Sequence, residues 1–308
     1  YLLDDKKSEK IVLYQFEKIL DFAYSPDGFQ LVMSAVIKGQ TDIFVYDIAA
    51  NSFDQVTKDH YDDLYPRFVG NSGDIVFSSN RLSDTLRYES RYQPGNVQKK
   101  YDLFLYRGGQ ESNILRRVTN TPLANEVQPM TYEPGYITFL SDQNGIYNRY
   151  IGWFDSAISY IDTTTHYRYF TNSFPITNYS RNILSHDFVN EIGKFGQIIF
   201  RDQQYLVQVK DIVPVSALTP ISLKNTPYME QQVNLFGERQ AKVEVRDDSQ
   251  GISPGRTGAQ RGFRTVRQSE AINEWMATEG QKIDGEIDIN DYKFDSDKTP
   301  GDNNYTTN

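Results

Sequence analysis

A turn motif that comes back along the chain constrains its fold more than any other feature. Residues 21–35 read DFAYSPDGFQLVMSA, and weaker copies follow as YPRFVGNSGDIVFSS and VQPMTYEPGYITFLS. In the first copy Pro26 presets φ, Asp27 can hydrogen-bond the local backbone, and Gly28 accepts the positive φ that a side chain resists. Phe22 and Tyr24 alternate before the turn, and Leu31 and Met33 alternate after it, the period of strands with one face in a core. Gly73 and Gly135 stand in the place of Gly28 in the later copies, at spacings of 45 and 62 residues. Self-similarity of this kind, carried on short strands, predicts a β-propeller assembled blade by blade.

Two more markers travel with the turn. An apolar strand opened by an acid or amide follows each copy, as DIFVYD at 42–47, DLFLYR at 102–107 and NRYIGWFD at 148–155. A polar exit then ends in a threonine, Thr57, Thr119 or Thr171. Each unit therefore reads as one four-stranded blade. A β-sandwich also gives short strands and turns, but not the same markers in the same order three times. In the second block a charged, tyrosine-rich insertion at 82–100 separates the second and third strands. Such insertions gather on one face and serve recognition, which makes Tyr88, Tyr92 and Tyr101 candidate partner-binding residues.

The order SPDG, a strand ending in serine, TDIFVYD and QVT resembles the TolB-like, WD40-like propeller repeat known as PD40, and SDQNGIYNRY at 141–150 is similar to the matching stretch of that family. The resemblance covers residues 11–175 well and 176–235 poorly. It implies an all-β fold, a β-propeller of four-stranded blades, partial or completed by upstream residues, with an extended C-terminal tail. Proteins of this family have propellers of six or more blades, occur in bacterial envelopes and in prolyl-oligopeptidase-like peptidases, and mostly bind proteins or peptides. TTTHYRYFTN, NYSRNI and the acidic tail resemble, more narrowly, long TolB-like proteins of Bacteroidota associated with the outer membrane. Residue 1 is not a methionine, and KIVLYQFEKI at 10–19 reads as the last strands of a preceding blade. Residues 1–19 are thus expected to end an upstream blade, and further blades before Tyr1, or a partner, to cover the edge that would otherwise stay open.

Composition narrows the function. The absence of cysteine excludes disulfides, thiolate chemistry and sulfur ligands for zinc. A net charge of −9, with 27 acids against 22 bases over residues 1–236, opposes nucleic-acid binding, which needs a basic face. No apolar run approaches the length of a membrane helix. Residues 1–236 form the expected propeller. Residues 237–308 are poor in apolar side chains and segregate charge, with arginines at 256–267 and ten acids against three lysines at 270–302, the composition of a linker or tail. Phe263, Trp275, Tyr292 and Phe294 are the rings there that could anchor a partner, and Ser269 opens the tail's one short helical pattern.

No catalytic or metal-binding motif survives physical scrutiny. GISPG at 251–255 matches G-x-S-x-G, yet Pro254 follows the serine and has no N–H to give an oxyanion hole. His60, His166 and His186 sit in unrelated contexts and read as loop or strand-end residues. The acidic stretches at 284–291 and 295–302 lack the sixth-position glycine of an EF-hand loop, with Ile289 and Pro300 standing there. The expectation is a propeller that catalyses nothing, needs no cofactor, and scaffolds protein contacts in the periplasm or at the outer membrane of a Gram-negative cell. The alternatives are the propeller domain of a serine peptidase whose catalytic domain lies outside this segment, and a propeller that binds a small ligand or sugar.

Overall fold

The computed structural model describes residues 12–70, 73–82, 84, 86, 97–109, 114–161 and 165–248. The chain divides into two units, Tyr1–Gly237 and Glu238–Asn308. The first unit carries four successive antiparallel sheets in a propeller arrangement. The first sheet is β1 (Lys18–Tyr24), β2 (Gln30–Ile37), β3 (Gln40–Asp47) and β4 (Ser52–Gln55). The second is β5 (Asp63–Val69), β6 (Asp74–Arg81), β7 (Val97–Tyr106) and β8 (Arg116–Arg117), and the third is β9 (Glu126–Thr131), β10 (Tyr136–Ser141), β11 (Asn148–Ile161) and β12 (Thr165–Pro175). A fourth sheet of three strands, β13 (Ile183–Val189), β14 (Lys194–Arg201) and β15 (Gln204–Asp211), falls where the repeat is hardest to read in the sequence.

The opening turn is closed by its own side chains. Ser25 Oγ donates to Asp27 Oδ1 at 2.6 Å and accepts from the Gln30 N–H at 2.9 Å, while Asp27 Oδ1 also accepts from the Phe29 N–H at 3.0 Å. The Ser25 hydroxyl and the Phe29 amide together hold the Asp27 carboxyl below its usual pKa. Gly28 takes φ +76° and Gly193, its counterpart in the fourth sheet, +62°, the left-handed region that costs a side-chain-bearing residue about 1 kcal/mol or more.

Alternation buries both faces of each inner sheet. Val32 and Ile43 of the first sheet meet Phe68, Ile75, Phe77 and Phe104 of the second. Val76, Leu103 and Leu105 on the opposite face of that second sheet meet Ile137, Phe139 and Tyr150 of the third, and Leu140 meets Ile183 and Ile199 of the fourth. β6 is accordingly buried at every residue, and each large apolar side chain so enclosed contributes roughly 1.5–3 kcal/mol. The outer face of the first sheet, Met33, Phe44 and Tyr46, is covered by Leu13 and Phe16. Residues 12–17, expected as strand, form none, and the first strand begins at Lys18.

The strand and threonine markers are two halves of one clasp. Thr57 Oγ1 accepts the Ile43 N–H at 2.9 Å, and Thr119 Oγ1 accepts the Leu103 N–H at 2.8 Å. In return, the acid or amide just before that N–H accepts a backbone N–H two residues past the threonine. Asp102 receives Thr121 at 3.1 Å, Asn148 receives Tyr179 at 2.7 Å, and Asp42 receives Asp59. In the third sheet the clasp uses Thr177, whose Oγ1 accepts the Arg149 N–H at 2.8 Å, rather than the expected Thr171. The long β11–β12 hairpin carries the chain past Thr171, which lies inside β12, before it turns to the next sheet.

A helix, α1 (Pro227–Asp248), is the element that composition does not announce. Its start follows rule: Thr226 Oγ1 accepts the Met229 N–H at 3.3 Å, Pro227 occupies the first helical position, and Glu230 lies in the first turn. No helix among the described residues is long and apolar enough to cross a membrane.

Candidate functional site

The groups with the most chemical potential are engaged at the sheet junctions. Between the first and second sheets Arg81 is fully enclosed, its Nη2 on Asp63 Oδ2 at 2.7 Å, its Nη1 3.2 Å from Asp59 Oδ2 and its Nε on Ser79 Oγ at 2.9 Å. Its guanidinium also lies over the rings of Tyr61, Phe77 and Phe104. Asp42 joins these acids, so that one oxygen of each of Asp42, Asp59 and Asp63 lies within 4.8 Å of the others. Burial, reinforced by Asp63 and Asp59, pushes Asp42 up to about 7, and burial with Asp63 pushes Asp59 up to about 6. Such a trio could ligate a cation, but the guanidinium already stands on two of its members, so the arginine and a retained proton balance the charge.

The next two junctions vary the theme. Glu126, raised well above the usual range by burial and by Asp102, accepts from Ser141 Oγ at 3.2 Å. Asp102 is itself raised by burial, against the Thr121 amide and Arg117, whose Nη1 is 3.3 Å away. Between the third and fourth sheets, buried Arg149 gives Nη2 to Gln197 Oε1 at 2.8 Å and Nε to His186 Nδ1 at 3.2 Å, and stacks over Phe195 at 4.3 Å. His186 Nε2 is 2.7 Å from the Gln128 carbonyl oxygen, so the ring carries its proton on Nε2 and presents a bare Nδ1 to the arginine. Burial and Arg149 depress this histidine to about 3. His186 is thus a buried residue inside β13, not the expected loop or strand-end residue, and both its nitrogens are committed to structure.

A different set faces the rim where the second-to-third-strand loops and the links between sheets emerge. Tyr65 has φ +55° at an irregularity in the β5 register, the device that re-aims a side chain out of a strand. Tyr101 donates its N–H to Asn125 Oδ1 at 3.3 Å, and burial with the nearby Asp62, Tyr65 and Asp63 raises its phenol. Tyr147 is raised by burial, then by Asp142, Tyr65 and Glu126. Asn125 binds Asp142 through its N–H at 2.6 Å and its side-chain nitrogen at 2.9 Å, and Lys100 Nζ lies 3.6 Å from the same carboxylate. Three half-buried phenols framed by Asp62, Asp142 and Lys100 make an aromatic and polar surface of the type that anchors a protein partner.

Of the residues singled out in the sequence, Tyr101 belongs to this surface, whereas Tyr88, Tyr92, Phe263, Trp275, Tyr292 and Phe294 lie outside the described residues, as does GISPG. Tyr65 and Tyr147 were missed. A readable signal existed for the first, because Tyr65–Pro66 and Gln128–Pro129 repeat a residue–proline pair at corresponding strand positions, and both Tyr65 and Gln128 have positive φ.

These sheets, their order and their junctions define a β-propeller, the architecture that the TolB-like resemblance implies. No protein-family model matches the chain, and no curated protein does. Among solved structures it is similar to TolB from Acinetobacter baumannii, at 16% identity and TM-score 0.43 over 68% of this chain and 45% of that one. It is also similar to a puromycin-hydrolysing peptidase of Mycobacterium tuberculosis, at 11% identity and TM-score 0.38 over 64% of this chain and 31% of that one. A prolyl endopeptidase matches at 12% identity and TM-score 0.33, with 68% and 37% covered. The chain spans less than half the length of each of these proteins.

Proposed function

We propose that this chain is a non-catalytic propeller module that holds protein partners in a bacterial envelope assembly, in the periplasm or against the outer membrane. In this reading residues 1–236 are the propeller, and residues 237–308 are a tail whose Phe263, Trp275, Tyr292 and Phe294 give it a second means of contact. The observation that carries the proposal is the division of labour among polar groups. The buried arginines, acids and His186 are consumed in joining one sheet to the next, while Tyr65, Tyr101 and Tyr147 are left half-exposed. The resemblance of the SPDG repeat to envelope propellers supports the location.

The test is site-specific photocrosslinking. A benzophenone amino acid in place of Tyr101, in the full chain produced in the envelope of a Gram-negative host of the same lineage, is expected to yield one discrete adduct with an envelope protein. An absence of adducts, together with cleavage of chromogenic peptides by the purified chain, would overturn the proposal in favour of a peptidase.

A further inference from the structure

β15 has the place of a third strand. Its hairpin with β14 closes on Arg201 and Gln204, as the β2–β3 hairpin closes on Ile37 and Gln40. Val207 and Val209 therefore stand where Ile43 and Val45 stand in the first sheet. Ile43 is 0% exposed and packs against the second sheet, whereas Val207 is 72% and Val209 70% exposed. The third strands of the other sheets carry a fourth strand, β4, β8 or β12, and among the described residues β15 carries none. Across the two-residue turn, Arg201 and Gln204 form the first hydrogen-bonded pair, so Gln204, Leu206, Gln208 and Lys210 bond to β14. The N–H and C=O groups of Tyr205, Val207 and Val209 then point outward. The register is unbroken over eight residues, with no proline and no bulge to blunt the edge.

The two faces of this edge differ in charge. On the outer face stand Tyr205, Val207 and Val209. The other face turns toward the third sheet, where Lys210 Nζ donates to Tyr179 Oη at 3.0 Å and Arg149 rests on Gln197, His186 and Phe195. Neither cation has a carboxylate partner among the described residues. Arg149 is buried inside the junction, so Lys210, exposed on β15 itself, is the cation that a residue added beside this strand would meet. A second copy pairing through the same edge would bring Gln204, Leu206, Gln208 and Lys210 to this side, with no acid among them.

We propose that β15 is a docking edge that takes an extended segment of a partner protein as the fourth strand of the fourth sheet, antiparallel to β15, with acidic residues toward Lys210 and β-branched or aromatic residues beside Val207 and Val209 on the outer face. Main-chain hydrogen bonds supply affinity, and the alternation of acid and apolar residue supplies register. The inference rests on the scaffold reading and names the chemistry of one of its partners.

The experiment uses the full chain and a fluorescein-labelled nonapeptide of alternating glutamate and valine, with a lysine-for-glutamate version and a version carrying a central proline as controls, read by fluorescence anisotropy. The acidic peptide is expected to bind at least about tenfold more tightly than either control. Val207→Pro should abolish binding, and Lys210→Glu, an exposed substitution that leaves the fold intact, should reverse the preference toward the lysine peptide. Equal binding of both charged peptides, an unchanged preference in Lys210→Glu, or no binding by any peptide would overturn the proposal. So would a dimer, formed without peptide, that Val207→Pro dissolves, because the edge would then belong to a second copy. An adduct at Tyr101 without peptide binding would refute this docking edge alone, whereas peptide binding without any adduct at Tyr101 would refute the tyrosine surface and leave the edge.

Discussion

Replacing Asp42 by asparagine tests the charge balance at the first junction. Asp42 is 3% exposed and is raised from the ordinary 3.8 to about 7, first by burial and then by Asp63 and Asp59. A carboxyl whose folded pKa lies above its unfolded value binds its proton more tightly in the folded state. Stability is then highest at low pH and is lost as pH climbs from about 4 to about 7, after which it levels. A rise of about three pH units, at roughly 1.4 kcal/mol each, is a loss of about 4 kcal/mol by neutral pH. The asparagine variant removes this slope and keeps the clasp, as Asn148 shows by accepting the Tyr179 N–H at 2.7 Å from the corresponding position. Its new amide hydrogens face Asp59 and Asp63 as acceptors, and Gln55, which now donates to Asp42 at 3.0 Å, can turn its amide to match. Urea unfolding of both proteins at pH 5 and pH 8 cancels the groups they share. The stability difference in favour of the variant should widen by about 3 kcal/mol between the two pH values, or roughly 10 °C in Tm at pH 8. A difference that stays constant with pH, or a variant less stable than the parent at pH 8, would refute the charge assignment.

Other consequences can be measured as directly. Thr119→Val strips the buried Leu103 N–H of its acceptor and should cost about 1–3 kcal/mol in urea unfolding, while Thr171→Val, whose hydroxyl is buried without a partner, should cost close to nothing. Arg149→Met should raise the His186 pKa from about 3, as followed by the ring proton signals in NMR, yet leave it below the ordinary 6.5 because burial persists. Stability supplied by the neutral histidine is present above pH 6.5 and is lost between there and the folded value, so the variant, with the narrower interval, should lose less stability on acidification than the parent.

The repeat was legible because its physics is local. SPDG closes a turn within six residues through Ser25 and Asp27, and such a device is spelled out in consecutive letters. The two ends of the clasp are also letters, but the distance between them is set by hairpin length. Thr57 and Thr119 could therefore be read off, while Thr177 was displaced by the long β11–β12 pair. The fourth sheet was hidden because Leu206 stands where Asp42, Asp102 and Asn148 mark the other third strands. The tyrosine surface was half legible: Tyr101 adjoins an insertion, but Tyr65 joins it through a positive φ that composition does not announce. Nor does any local pattern say that Arg149 will be buried, since its partners come from 37 and 48 residues away.

Where the repeat departs from itself, the departures are linked. In the first two sheets the third strand presents Ile43 or Leu103 to its neighbour, and an apolar core results. At the third sheet the same position holds Arg149, which forces the fourth sheet to answer with His186 and Gln197 in place of hydrocarbon. Among the described residues this buried cation is held by neutral acceptors and rings, so its charge has no opposite partner at the junction. Among the described residues the next sheet has Leu206 in place of the clasp acid, no fourth strand and no cover over Val207 and Val209. Among the described residues, an exposed lysine without a carboxylate partner, an edge without a fourth strand and a bare apolar face thus fall within this one sheet. One added strand with acid toward Lys210 and hydrocarbon beside Val207 and Val209 would pair the edge and meet both side-chain features, which is why they are better understood as one binding edge than as separate defects.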